Sequence, residues 1–171
     1  MKRITIIGGG GAGKSTFSRQ LGERINLPVY HLDSLFWNPG WVETPKEQWD
    51  DRIKELLNEE KWIIDGNYRR TLEARIQKSD TVIFLDMPTY LRMYRIVKRR
   101  IMYHGKTRPD MREGCKEQLD WEFVKWVWNY NKNSRKSVME ILDKYNKSVE
   151  VIVLKNGKEV KCYLESFKLE Y

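Results

Sequence analysis

Cysteine is scarce in this chain, with only Cys115 and Cys162 among 171 residues. Two thiols so far apart make neither a zinc knuckle nor a disulfide framework, and such usage points to a reducing cytoplasm. Histidine is equally sparse, and His31 and His104 are too separated for a metal centre. No stretch approaches the roughly 18 consecutive apolar residues that mark a membrane span. The opening Met1-Lys2-Arg3 meets too few apolar residues before Gly8 to read as a signal peptide. No repeat or low-complexity linker divides the chain, and residues 1–171 read as one domain. Disorder is excluded, because 40% of the residues are apolar and 12% aromatic.

Positive charge is abundant and concentrated. The formal net charge is +8, from 32 Lys and Arg against 24 Asp and Glu. Between Arg92 and Lys136 lie 13 cations and 5 acids, which carry the whole +8, while 19 of each sign elsewhere cancel. A cluster of one sign suits a polyanionic partner, and nucleic acid, nucleotide phosphates and a membrane surface all qualify at this level.

Arg3–Ile7 is a β-branched run that stops at glycines, and Lys14–Ile25 has helical spacing, giving strand, loop, helix. Val29–Leu32 reads as a second strand, followed by a loop through Trp37, Pro39, Gly40 and Trp41. Thr44-Pro45-Lys46-Glu47 offers an N-cap, a first-turn proline and a capping-box glutamate for a helix over Pro45–Glu59. Trp62–Ile64 is a third strand ending at Asp65-Gly66, a short helix covers Leu72–Gln77, and Thr81–Leu85 is a fourth strand. Helical patterns run over Tyr90–Tyr103 and Lys116–Tyr145, then Val149–Leu154 is a last strand and Gly157–Phe167 a last helix. Alternating strands and helices of this kind predict a three-layer α/β fold with a parallel sheet of about five strands.

Gly8-Gly9-Gly10-Gly11-Ala12-Gly13-Lys14-Ser15 satisfies GxxxxGK[ST] between a strand and a helix, the context a P-loop requires. Its amides, through Thr16, can wrap a phosphate at a helix N-terminus, Lys14 can reach the terminal phosphates and Ser15 can ligate Mg²⁺. The chain has no DxxG, and Asn131-Lys132-Asn133-Ser134 lacks the aspartate that reads guanine, so a Ras-like GTPase is excluded. Asp65 stands at a strand's carboxyl end, where it can hold Mg²⁺ or orient an acceptor. Asp33, in His31-Leu32-Asp33, is placed to bind a substrate hydroxyl or take its proton.

Asp65-Gly66-Asn67-Tyr68-Arg69 resembles the DGxPR motif of adenylate kinases, with tyrosine in place of proline, and Arg95-Ile96-Val97-Lys98-Arg99-Arg100 resembles the segment that opens their lid. His31-Leu32-Asp33, Pro39-Gly40-Trp41, Trp62 through Tyr68, Arg108 through Met111, Gly114-Cys115 and Trp126 through Tyr130 resemble a bacterial group of adenylate kinase-like P-loop nucleotide kinases. That group is named for DNA topology modulation and also called FlaR-like. The resemblance implies that Arg69 holds a phosphate of the acceptor, Arg95 lies near the donor base and Arg99 touches the transferred phosphoryl group. It also implies ATP and Mg²⁺ as cofactors, a nucleotide or nucleoside as acceptor, and an effect on DNA topology.

The basic stretch over residues 92–136 then reads first as a lid that supplies arginines, with Arg99, Arg108, Arg112 and Arg135 as candidates. DNA binding is the alternative, with Trp121, Phe123, Trp126, Trp128 and Tyr130 interleaved among cations. Trp121, Val124 and Trp128 share one helical face, for which core packing is the simpler expectation. Trp37, Trp41 and Trp49 fall where a nucleotide kinase binds its acceptor, and there rings can stack on a base or a sugar.

Overall fold

A computed structural model describes residues 1–167. Five strands, β1 (Arg3–Gly8), β2 (Val29–His31), β5 (Trp62–Asp65), β6 (Thr81–Leu85) and β7 (Glu150–Leu154), form a parallel sheet in the order β2-β5-β1-β6-β7. Side-chain alternation sends Ile4, Ile6, Ile63, Ile83 and Leu85 to one face, where Phe17 and Leu21 of α1 (Lys14–Ile25) and Leu164 of α8 (Gly157–Glu165) cover them. Ile7, Val82 and Phe84 point the other way, against Leu72 and Ile76 of α4 (Arg69–Lys78) and Leu142 of α7 (Lys136–Tyr145). A third cluster packs Trp49, Ile53 and Leu57 of α3 (Lys46–Asn58) on Trp62 and Ile64. Both faces being covered explains why the central strands read as continuous apolar runs. Strand order reverses beside β1, which opens a crevice at the carboxyl ends of β1 and β5.

Several elements differ from the sequence reading. The second strand stops at His31, and α2 (Leu32–Phe36) begins at once, so Asp33 sits on a helix's first turn. The loop after it contains a hairpin of β3 (Trp37–Asn38) and β4 (Val42–Glu43). Thr44 does not cap α3. Its hydroxyl donates back to the Phe36 carbonyl at 2.7 Å and ties the hairpin's ends.

The helix expected over Lys116–Tyr145 is three pieces. Lys116 and Glu117 pair in isolated bridges with Thr107 and His104. Asp120 then caps α6 (Trp121–Tyr130) by accepting the Phe123 N–H at 2.7 Å. A π-helical turn, Asn131–Arg135, separates α6 from α7 at the place where Arg92 Nη1 takes the Val127 carbonyl at 3.1 Å. Among the described residues, no helix is long and apolar enough to cross a membrane.

Candidate active site

The loop between β1 and α1 turns through left-handed backbone at Gly11 (φ 75°) and Gly13 (φ 96°), conformations open to glycine. A Cβ on Gly11 would stand 2.5 Å from the carbonyl of Arg92, so the residue also has no room for a side chain. Lys14 folds back over the loop, its Nζ donating to the carbonyls of Gly8 (2.9 Å) and Gly9 (3.2 Å). Burial pushes the Lys14 ammonium below its ordinary pKa, opposed by the charges of Asp33 and Asp65. Asn67 steadies the loop's root, where its Oδ1 accepts the Gly8 N–H at 3.1 Å.

The strand ends supply the acids. Asp65 is 3% exposed at the end of β5, and its Oδ2 lies 2.7 Å from His31 Nδ1. Burial pulls His31 down, but the hydrogen bond and charge of Asp65, with Asp110 and Asp33 behind it, leave its pKa raised. Asp33 accepts from the Tyr68 hydroxyl at 2.9 Å. Burial next to Asp33 drives the Tyr68 pKa far up, which keeps the phenol a donor.

The basic segment closes the other side. Arg95, on α5 (Thr89–Met102), donates to the Ala12 carbonyl at 2.7 Å. Arg99 Nε donates to Glu117 Oε1 at 2.8 Å. Arg108 Nε lies 2.7 Å from Glu117 Oε2, an ion pair off the hydrogen-bond line, and its Nη1 donates to Asp110 at 3.0 Å. Glu117 is 4% exposed and so holds two arginines from separate segments in place. The segment is latched to the β3–β4 hairpin as well. Gly40 N–H donates to the Gly114 carbonyl at 3.2 Å, Arg112 to Asn38 Oδ1 at 2.7 Å, and the Trp41 indole to the Lys116 carbonyl at 3.0 Å.

One cavity of about 1030 Å³ joins these parts, bringing together Gly10 through Thr16, Asp33, Asp65, Arg95, Arg99 and Arg108. Gly8 and Gly9 lie beneath it and offer their carbonyls to Lys14. Arg69 is not there. As the first residue of α4 it reaches Ser137 of α7 at 3.4 Å and lines an adjoining cavity of about 190 Å³ that shares Asn67 and Trp126 with the first. Arg112 and Arg135 also lie outside the main cavity, Arg135 making a two-pronged pair with Asp86 at 2.8 and 2.7 Å.

The aromatic expectations divide. Trp37 and Trp41 line the cavity, edge to face at 5.5 Å, whereas Trp49 is core. Trp121 and Trp128 are not core residues, being 68% and 62% exposed. The inward face of α6 is Phe123, Val127 and Tyr130, and a Cβ on Gly10 would meet Val127, Trp126 and Phe123. Cys115 is buried and donates to the Asn38 carbonyl at 3.2 Å.

Glu117, Asn67 and Tyr68 were not readable as site residues, because each acts on a partner that only the fold brings near, whereas Asp110 holds Arg108 from two residues away. The one trace of Glu117 in the sequence is that it is an acid inside a basic segment.

No family model matches the chain. Among solved structures it is similar to the shikimate kinase from Acinetobacter baumannii in complex with shikimate, at a TM-score of 0.59 and 15% identity, covering 97% of this chain and 90% of that one. The shikimate kinase from Bacteroides thetaiotaomicron matches at a TM-score of 0.53 and 15% identity, over 96% and 95% of the two chains. These likenesses establish the fold as that of the P-loop kinases, with the parallel sheet covered on both sides. In sequence the chain is 30% identical over 136 residues to the Bacillus subtilis (strain 168) protein described as "Uncharacterized protein YqaC", covering 76% of this chain and 73% of that protein. By that match the chain belongs to the YqaC family.

Proposed function

We propose that this chain is an ATP- and Mg²⁺-dependent phosphotransferase that moves the γ-phosphoryl group of ATP to a hydroxyl of a small acceptor. The observation that carries the reading is the single cavity in which Lys14 and the P-loop meet Asp33 and Asp65 on one side and Arg95, Arg99 and Arg108 on the other. In this reading residues 1–171 act as one domain, residues 92–136 are its lid, it works in the cytoplasm, and its wider kinship is with the FlaR-like group.

The residues suit Mg²⁺. Among the described residues no three His, Cys, Asp or Glu side chains gather to hold a metal. Mg²⁺ asks for less, binding through one or two side chains together with phosphate oxygens and water. Ser15 and Asp65 both line the cavity, and the His31 contact engages only Oδ2 of the carboxylate. When bound, the ion neutralises charge on the phosphate oxygens and fixes their orientation.

The protein's own contributions follow from its geometry. Amides of Gly10 through Thr16 and the start of α1 receive the phosphates, with Lys14 as the cation nearest the loop. Arg95 flanks the loop on the donor side. The forks of Arg99 and Arg108, anchored through Nε by Glu117, face the charge that spreads over the transferred group. Asp33 holds the acceptor hydroxyl and receives its proton as the oxygen bonds phosphorus. The bond from that phosphorus to the bridging oxygen breaks and ADP departs with its electron pair. The latch between hairpin and lid segment limits water at the reacting centre. Lys14→Ala is expected to abolish ATP turnover while circular dichroism and the thermal midpoint stay near wild type. Unchanged turnover would refute the assignment.

One observation favours a second reading, direct DNA binding: Trp121 and Trp128 stand exposed beside Lys125, whose Nζ lies 5.7 Å from the centre of the Trp121 ring. It requires binding that survives competitor DNA and weakens with Trp121→Ser; nonspecific adherence confined to low salt rejects it.

A further inference from the structure

We propose that the solvent face of α5 is a self-association surface, on which two copies of this chain pair helix against helix in antiparallel fashion. The proposal does not depend on the kinase reading and starts from a row of side chains that the cleft does not use. Tyr90, Tyr94, Val97 and Ile101 are 75%, 61%, 46% and 73% exposed, and among the described residues nothing covers them. Their spacing of 4, 3 and 4 residues is the repeat of a coiled-coil seam. At 3.6 residues per turn all four fall within about 60° around the helix. The opposite side of α5 serves the site, where Arg92 and Ile96 pack against Gly11 and where Arg95 and Arg99 line the cavity.

Width, shape and charge together select a second copy. A strip this narrow is slimmer than the face a helix lays on a core, and it suits one facing helix. The row is also complementary to itself. With a twofold axis between Arg95 and Ile96, Tyr90 meets Ile101 of the second copy and Tyr94 meets its Val97, so each ring faces a branched aliphatic side chain. The charges sort in the same register. No acid lies on α5, and Lys98 and Arg100 flank the C-terminal half of the row, whereas Leu91 and Met93 flank the N-terminal half. Antiparallel pairing lays each basic half on uncharged flanks, while parallel pairing would set the two basic halves side by side. The helix dipoles favour the antiparallel arrangement as well.

The surface is large enough for a modest dimer. The four side chains leave on the order of 500 Å² uncovered per copy, or about 1,000 Å² for a pair, which is where specific interfaces begin. The stems of Lys98 and Arg100 add apolar area at the rim. Because Arg95 and Arg99 stand on the other side of the same helix, pairing sets two clefts back to back across one rigid element.

The test is sedimentation of the full chain over roughly 1 to 200 μM at low and at high salt. The mass is expected to rise from 20.6 kDa toward twice that value. The contact is apolar with like charges at its rim, so the dissociation constant should fall about threefold or more between 0.05 and 0.5 M salt. Tyr94→Lys together with Ile101→Lys is expected to weaken pairing at least about tenfold with circular dichroism unchanged, whereas Trp121→Ser leaves pairing as it was. Orientation is read by cross-linking in a Cys162→Ser background. Tyr90→Cys chains mixed with Ile101→Cys chains should form a disulfide-linked pair. Ile101→Cys chains alone should not, because their two positions lie about 16 Å apart along the axis. A monomer at every concentration and salt, a pair that the two lysines leave intact, or cross-linking of Ile101→Cys chains to one another overturns the proposal. So does a chain that stays monomeric and instead binds phosphatidylglycerol vesicles or DNA through these residues, binding that salt would weaken.

Discussion

Arg92 and Arg99 stand two helical turns apart on α5 and meet opposite fates. Arg92 is 1% exposed, and its donors are committed to protein: the carbonyls of Met87 (3.1 Å) and Val127 (3.1 Å), Thr89 Oγ1 (3.0 Å) and Asn131 Oδ1 (2.9 Å). Its guanidinium also lies 4.8 Å over the Tyr130 ring, and its carbonyl lies beneath Gly11. Arg99 makes one side-chain bond, through Nε to Glu117, and turns the rest of its fork to the cavity. One helix thus carries a cation that builds the P-loop's floor and a cation whose fork is open to the cavity. A basic segment is therefore not one functional unit: the same residue type serves architecture where its donors meet carbonyls and chemistry where they are left to a cleft.

Substitution can break this contrast in two directions. Arg92→Leu leaves buried acceptors on α6, the π turn and the Met87 carbonyl without a donor, and is expected to cost on the order of 3–4 kcal/mol in chemical denaturation. Arg99→Ala leaves Glu117 still paired with Arg108, so stability should fall by about 1 kcal/mol, while ATP turnover drops about 100- to 1,000-fold. If the two variants lose stability equally, the division of labour along α5 is wrong.

A subtler change sharpens it. Glu117→Gln keeps the side chain's shape and removes the charge that holds Arg99 and Arg108 through Nε. Ground-state attraction for the triphosphate is then retained or strengthened, but the forks lose their fixed aim. The expected signature is kcat for ATP turnover down about tenfold with KM for ATP not raised. A purely structural role for Glu117 would instead lower the thermal midpoint and leave kcat per folded molecule intact.

How much of this was legible depended on distance along the chain. The P-loop was, because its strand, glycines, lysine and helix are contiguous and each local preference points to the same turn. Asp65 was legible from the end of an apolar strand. Glu117 was not: its partners precede it by 18 and 9 residues, no strand or helix period links them, and only the bridges of the 104–117 connection bring them together. Asn67 reaches the Gly8 amide across 59 residues for the same reason. Arg69 was legible only as a motif position: it stands first on α4 and reaches Ser137 of α7, while the Tyr68 hydroxyl before it donates to Asp33.

The smallest predicted effect concerns α6, where periodicity offered two answers. Trp121, Val124 and Trp128 keep helical spacing, and so do Phe123, Val127 and Tyr130, because the helix is apolar nearly all round. The choice between these faces is made outside the helix, by the P-loop at Gly10 and by Arg92, which receive the second set. Trp121 and Trp128 are left in solvent with little to lose. Trp121→Ser or Trp128→Ser should therefore change unfolding free energy by no more than about 0.5 kcal/mol, whereas Val127→Ala, fully buried, should cost about 2 kcal/mol. Equal losses on both faces in denaturant titrations would mean that the tryptophans are packed, and that the exposed rings beside Lys125 offer nothing for a nucleic acid to stack on.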